Sequence, residues 1–276
     1  MKLLVYIRML RLQNTLMAGI AVFLGYWLTG SDFMLSEILL PILAAIAATG
    51  FGNVINDIRD IETDRISHPQ RPLPRGEISI PTALIYSFLL AITATLLSFY
   101  TSLAHGFATL IPLILLLMYA VYLKGTRLAG NFIVASLVAY ALLYGGINRP
   151  DFLKLLIPAF LAFLLNLSRE IVKDIQDETG DKAAGYKTSA SLPRSFLRSF
   201  IYICSVIYFL ALPFPVILGH LGLIYVVVTV FTVVPVHIYR LRLIKTDMDK
   251  KPSLISQLFK VEMLAGLTAL AADKLF

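Results

Sequence analysis

A chain of 276 residues in which 58% are apolar and only 15% charged departs from the soluble norm of ~45–50% apolar and about 25% charged. That excludes an ordinary water-soluble domain and leaves no room for one beside a membrane-embedded body. The formal charge of +7 is sorted by loop instead of forming a patch, which removes nucleic acid as its explanation, and a single cysteine, Cys204, removes a disulfide framework.

A membrane span needs about 20 apolar residues. Windows of that kind predict an all-α, polytopic chain of about nine spans, near 13–29, 34–58, 79–101, 105–123, 128–147, 151–174, 197–217, 220–240 and 256–273. Met1–Asn14 ahead of them reads as a basic amphipathic lead-in and not as a cleavable signal peptide. Basic residues number 3 before the first span, 4 in 59–75, 2 in 124–127, 6 in 169–198 and 6 in 240–260, so 21 of 24 share one side. Arg149, Lys154 and Lys274 are the rest. The positive-inside rule then predicts a plasma-membrane protein with a cytoplasmic N-terminus and an external C-terminus.

Acidic residues break the pattern, since 10 of 17 lie within Asp57–Glu77 and Glu170–Asp181, both at the cytoplasmic ends of spans. Carboxylates beside lipid are costly and usually have a task. Both stretches contain D-x-x-D-x-x-x-D: Asp57, Asp60 and Asp64 recur 117 residues later as Asp174, Asp177 and Asp181. On the same offset Asn53 meets Glu170, Asn56 meets Lys173 and Arg65 meets Lys182. The repeat predicts one domain over 1–276 made of two pseudo-repeat halves, approximately 1–125 and 126–276.

Positions i, i+3 and i+7 of a helix share a face. Three carboxylates stacked there repel one another unless a cation lies between them. Aspartate oxygens suit hard cations, and Mg²⁺ takes one or two carboxylates with water and substrate phosphate. The two triads together predict a Mg²⁺ site that bridges a diphosphate and neutralises a leaving group. Polar helix ends meeting water are the plainer explanation of one triad, but not of two matched ones. Each triad is followed by a basic, turn-rich loop, the first containing Arg65 and Arg71 and the second Lys182 and Lys187. Such cations can contact phosphate oxygens that a metal leaves free.

At these residues the chain resembles the UbiA superfamily of intramembrane prenyltransferases. Asn56–Asp64 matches its first aspartate element and Asp174–Asp181 its second. Gly52-Asn53-x-x-Asn56-Asp57, Arg71-Pro72-x-Pro74 and Ser168-Arg169-Glu170-Ile171-x-Lys173-Asp174 most resemble the archaeal digeranylgeranylglyceryl phosphate synthases within it. The resemblance implies helices around a central cavity, capped on the cytoplasmic side by a Mg²⁺–diphosphate site. It further implies a basic residue after the fourth span, here Lys124, paired with a tyrosine that is either Tyr119 or Tyr122. An Arg-Leu-x-Asn element at Arg11–Asn14 implies that Asn14 faces the cavity.

The expected reaction is Mg²⁺-dependent transfer of a geranylgeranyl group from its diphosphate to the hydroxyl of geranylgeranylglyceryl phosphate. An allylic cation would need aromatic faces, for which Tyr119, Tyr122, Tyr140 and Tyr144 are candidates. Lys124, Arg127 and the 65–75 loop are candidates for the acceptor's phosphate, and membrane lipid is the surrounding partner. Two alternatives compete: a family member acting on an aromatic or quinone-precursor acceptor, and a cation-coupled transporter. Against the transporter, the 117-residue offset spans an even number of segments, so the halves run parallel, and the carboxylates gather on one side and not at the midplane.

Overall fold

The computed structural model describes residues 2–30, 34–123 and 126–275, and among them there is helix and no strand. A short amphipathic helix α1 (Lys2–Leu10) ends where Arg11 takes a left-handed conformation, φ 51° and ψ 65°, and α2 (Leu12–Leu28) starts on a new axis. There follow α3 (Leu35–Arg59), the short α4 (Ile61–Ser67), α5 (Ile80–Thr101) and α6 (Leu103–Met118), the last prolonged by a π-helical turn over Tyr119–Leu123. Helix α7 covers Ala129–Gly145, and α8 (Leu156–Ala183) follows a 3₁₀ turn at Phe152–Leu155. The chain closes with α9 (Arg194–Ala211), α10 (Phe214–Ile217), α11 (Leu223–Val228), a second π turn, α12 (Val234–Asp247) and α13 (Pro252–Leu275).

Local chemistry sets several of these ends. Ser79 accepts from the Thr82 amide at 3.3 Å with Pro81 in the first turn of α5, and Ser102 accepts from the His105 amide at 3.2 Å at the start of α6. Each satisfies a donor that the helix itself leaves unmatched.

Among the described residues seven helical segments are long and apolar enough to cross a membrane: 35–59, 80–101, 103–123, 152–183, 194–217, 223–247 and 252–275. Helices α2 and α7, 17 residues each, rise about 26 Å, at the short end of what spans a bilayer. Every predicted segment has a helix on it, but three helices outrun their windows. Those near 151–174 and 220–240 extend to Ala183 and to Asp247, because charged residues continue the helix beyond the apolar stretch that revealed it, and that near 256–273 starts earlier, at Pro252. The outer helices carry large exposed apolar residues such as Ile85, Phe88, Leu96 and Phe231, the surface that lipid would cover.

Small residues fix the central crossing. A Cβ on Gly25 would strike the Leu142 carbonyl, and one on Gly145 the Val22 carbonyl, so α2 and α7 meet backbone to backbone. Shifted by 117 residues, Leu12–Leu28 falls on Ala129–Gly145, so these two crossing helices are the matching members of the sequence repeat.

Candidate active site

A cavity of about 740 Å³ lies among α2, α3, α7, α8 and α13, apolar along its depth and polar at one end. At that end it adjoins a small chamber lined by Asp60, Asp64, Asp174, Asp177 and Asp181. The two aspartate elements therefore face each other across one space. Their contact depends on Gly180, where a Cβ would lie 2.8 Å from the Thr63 carbonyl, so α4 packs tightly on the end of α8.

The second triad rides on one continuous helix, α8, as its spacing predicts. The first does not. Asp57 is in the last turn of α3, Asp60 is the junction residue (φ −90°, ψ 6°), and Asp64 is on α4. Asn and Asp compete with helical hydrogen bonding through their own side chains, and the bend falls where they cluster. It turns Asp60 and Asp64 into the chamber, while Asp57 stays outside its lining.

Buried carboxylates need partners. Arg11 pairs with Asp57, and Arg71 reaches both oxygens of Asp64 at 2.5 Å while lying 3.6 Å from Asp57. Burial pushes the Asp64 carboxyl above its ordinary range, against the opposing pull of Arg71. Asp174 accepts from Asn131 Nδ2 at 3.1 Å, the Ser189 amide at 3.1 Å and the Ser189 hydroxyl at 2.5 Å. His68 Nε2 lies 3.1 Å from Asp177 Oδ1. Lys173 lines both spaces and pairs with Glu170 at 3.3 Å.

Other predicted residues divide. Asn14, Asn53, Asn56, Arg71, Tyr119, Tyr140 and Tyr144 line the cavity, with the Asn53 amide donating to the Leu10 carbonyl at 2.7 Å. Tyr140 and Tyr144 sit far from the aspartates. From Asn131, beside Asp174, α7 rises about 14 Å to Tyr140 and about 20 Å to Tyr144. Their hydroxyls are also engaged, Tyr140 with the Ala108 carbonyl at 2.9 Å and Tyr144 with Ser98 at 2.8 Å. They flank the deep part of the cavity, away from the chamber.

Three expectations fail on placement. Tyr122 is 74% exposed on the outer surface, because the wider π turn rotates it away from Tyr119, which lines both spaces. Arg65 points outward to Glu62 at 2.9 Å, one position round α4 from the inward Asp64. Arg127 is exposed and lines neither space. Lys124 lies outside the described residues.

Reading the sequence missed Arg11, Asn131, Ser189 and His68 as partners of the aspartates. For Asn131 a signal existed, since it is Asn14 displaced by the 117-residue offset. Among the described residues no three carboxylate, imidazole or thiol groups form a ready-made metal cage. The donor set is nonetheless all hard oxygen, and guanidinium groups already lie against the carboxylates. It fits a cation that takes only one or two protein ligands and completes its shell with phosphate and water.

A helical bundle with two facing aspartate elements over an apolar cavity makes a membrane site suited to a metal-bound polyanion with an apolar tail. Residues 18–261 match the UbiA prenyltransferase family; the chain belongs to that family and is a multi-pass membrane prenyltransferase. It is 34% identical over 273 residues to a digeranylgeranylglyceryl phosphate synthase of Methanothermobacter thermautotrophicus, covering 97% of this chain and 95% of that one. A solved structure titled for the biosynthesis of digeranylgeranylglyceryl phosphate synthase in membranes superposes with TM-score 0.80 at 29% identity, covering 99% of this chain and 98% of that one. A UbiA homolog from Archaeoglobus fulgidus bound to GPP and Mg²⁺ shares the fold at TM-score 0.74 and 20% identity, over 99% of this chain and 100% of that one.

Proposed function

We propose that the chain transfers a geranylgeranyl group from geranylgeranyl diphosphate to the free hydroxyl of geranylgeranylglyceryl phosphate, with Mg²⁺. The observation that carries this reading is the convergence of Asp60, Asp64, Asp174, Asp177 and Asp181 on one chamber at the mouth of one apolar cavity. The relatives named as synthases of that ether lipid supply the acceptor.

Asp60, Asp64, Asp177 and Asp181 would hold the metal, and Asp174, saturated by Asn131 and Ser189, would orient the set. Bound Mg²⁺ would supply charge neutralisation of the departing diphosphate. The chain's own part is an exchange of partners. Arg11 and Arg71, paired here with Asp57 and Asp64, would grip phosphate oxygens, and Asp64 would then be free to hold the metal. Preorganised charge of this kind is usually the largest catalytic contribution. Tyr119, which lines both spaces, presents its ring beside the allylic carbon. The prenyl tail runs down the cavity past Tyr140 and Tyr144 and is kept from water. The acceptor oxygen bonds to C1 as the C1–O bond to diphosphate breaks, and the hydroxyl proton passes to the leaving group.

The reading includes nine spans, α2 and α7 with the seven longer segments. It is a single domain of two parallel halves in the plasma membrane, with the N-terminus and aspartate chamber cytoplasmic and the C-terminus outside. Incubating the purified protein with labelled geranylgeranyl diphosphate and either geranylgeranylglyceryl phosphate or an aromatic acceptor tests it. Product only with the aromatic acceptor would refute the glyceryl phosphate assignment.

A further inference from the structure

Helix α8 carries further charges beside its aspartates, only one of which, Lys173, lines the aspartate chamber. Arg169, Glu170 and Lys173 line the large cavity, and from α13, across the same mouth, Lys260 and Gln257 line it too. Lys260 Nζ donates to Gln13 Oε1 at 3.1 Å, and among the described residues no carboxylate forms an ion pair with it. Arg169, Lys173 and Arg11 all lie within electrostatic reach of Lys260. Two carboxylates stand beside these cations: Glu170, shared between Arg169 at 2.6 Å and Lys173 at 3.3 Å, and Asp177, which lines the same cavity next to His68. Arg169 Nε is buried without a hydrogen-bond partner.

Cations crowded beside an apolar cavity repel one another and lose hydration, so the arrangement is costly unless an anion joins it. Orientation signalling does not account for Lys260. It stands 8 residues into α13, about 12 Å along the helix from Pro252, on the cavity wall and not in a loop. Nor does the leaving diphosphate account for it. The aspartate chamber is lined by α3, α4, α7, α8 and the π turn with Arg11 and Arg71, and neither Lys260 nor Arg169 lines it. Lys173 borders both spaces, as do Arg11 and Arg71.

We infer that Lys260 and Arg169, with Lys173 at the border, form the subsite for the phosphate monoester of the prenyl acceptor. The inference rests on the proposed acceptor being a glyceryl phosphate ether. In such a molecule the phosphate and the attacking hydroxyl stand close together on one short glycerol backbone. An acceptor phosphate must therefore lie next to the donor's C1, which is where this group adjoins the aspartate chamber. Of the cations expected at that phosphate, Arg127 lines neither space, and Arg71 of the 65–75 loop lines both.

The test is equilibrium binding to the detergent-solubilised full chain in EDTA, where a diphosphate donor lacks its metal. Labelled geranylgeranylglyceryl phosphate should bind at least about tenfold tighter than neutral geranylgeranylglycerol. Lys260→Gln should remove most of that preference, and Lys260→Arg should keep it. In turnover assays Lys260→Gln should raise the KM for the phosphorylated acceptor about tenfold and leave the KM for geranylgeranyl diphosphate unchanged. A Lys260→Gln protein that retains the wild-type preference would overturn the inference. So would competition by inorganic phosphate as strong as by the prenylated compound, which would mean a generic anion site. Failure of the underlying function reads out separately, as a wild-type protein that binds the phosphorylated ether but forms no product from it.

Discussion

His68 Nε2 stands 3.1 Å from Asp177 Oδ1, a contact between residues 109 positions apart that joins the loop behind the first aspartate element to the second. Each half of the repeat supplies a helix end whose carboxylates would be unstable alone. Facing each other, they are held by Arg71 on Asp64 and by His68 on Asp177, both from the loop behind the first element. The pairing makes one polyanion site from two modest motifs, and it does so because α4 packs on the end of α8 at Gly180.

Substituting Asp60→Asn or Asp177→Asn removes a charge from that shared set while keeping its shape. Transfer should fall by about 10²-fold or more, the scale of losing one preorganised electrostatic group. Melting temperature and elution volume in detergent should stay near wild type. Activity within a few-fold of wild type in both variants would remove the metal role from the aspartates.

Chelation should stop transfer, and Mg²⁺ added back should restore it. Product formation followed before EDTA, after EDTA and after excess Mg²⁺ measures this directly. Transfer that continues through chelation would contradict a metal-bridged diphosphate.

Asn131 donates to Asp174 at 3.1 Å and touches no substrate in the proposed scheme. Outer partners of metal-binding groups typically matter by about 10–100-fold in affinity. Asn131→Leu should raise the Mg²⁺ concentration for half-maximal activity within that range, with a smaller effect on rate at saturating metal. An unchanged Mg²⁺ dependence would reduce Asn131 to packing.

The two tyrosines of the π turn separate a buried role from a superficial one. Tyr119→Leu should lower turnover at least several-fold, because an aromatic face beside a developing cation contributes about 0.5–2 kcal/mol. Tyr122→Leu, on the exposed outer face, should leave turnover within about twofold. Equal losses would mean that the turn does not divide them.

Much of this was legible before any coordinates. Apolar windows locate the spans because hydrophobic length is a direct physical requirement of the bilayer. The aspartate repeat locates the chamber because matched charges in a lipid-facing chain are costly without a function. Side-chain direction was harder to read. Arg65 and Asp64 are neighbours in sequence but point to opposite sides of α4, and Tyr122 turns outward through a π turn that residue spacing alone does not announce. The partners Arg11 and Ser189 come from a left-handed junction and a 3₁₀ turn, local geometries with no periodic signature. Tyr140 and Tyr144 have suitable chemistry at the wrong depth, which helix rise discloses only after Asn131 is placed beside Asp174.

Away from the chamber, Arg240 Nε donates to Glu262 Oε2 at 2.6 Å, and His237 Nδ1 lies 2.6 Å from Glu262 Oε1. Arg240 also stacks 3.9 Å from the Phe259 ring centre, and neither Arg240 nor Glu262 is exposed. This cluster joins α12 to α13, with Glu262 on the cavity wall. Glu262→Gln would leave a buried guanidinium without its counter-charge, a loss of about 3–5 kcal/mol in comparable pairs. The expected outcome is a marked drop in thermal stability in detergent, with Mg²⁺ dependence unchanged in whatever protein remains folded. Replacing the pair together, as Arg240→Leu with Glu262→Leu, should recover much of the loss, since no lone charge is then left buried. A double variant as unstable as Glu262→Gln would show that the pair contributes shape rather than charge balance.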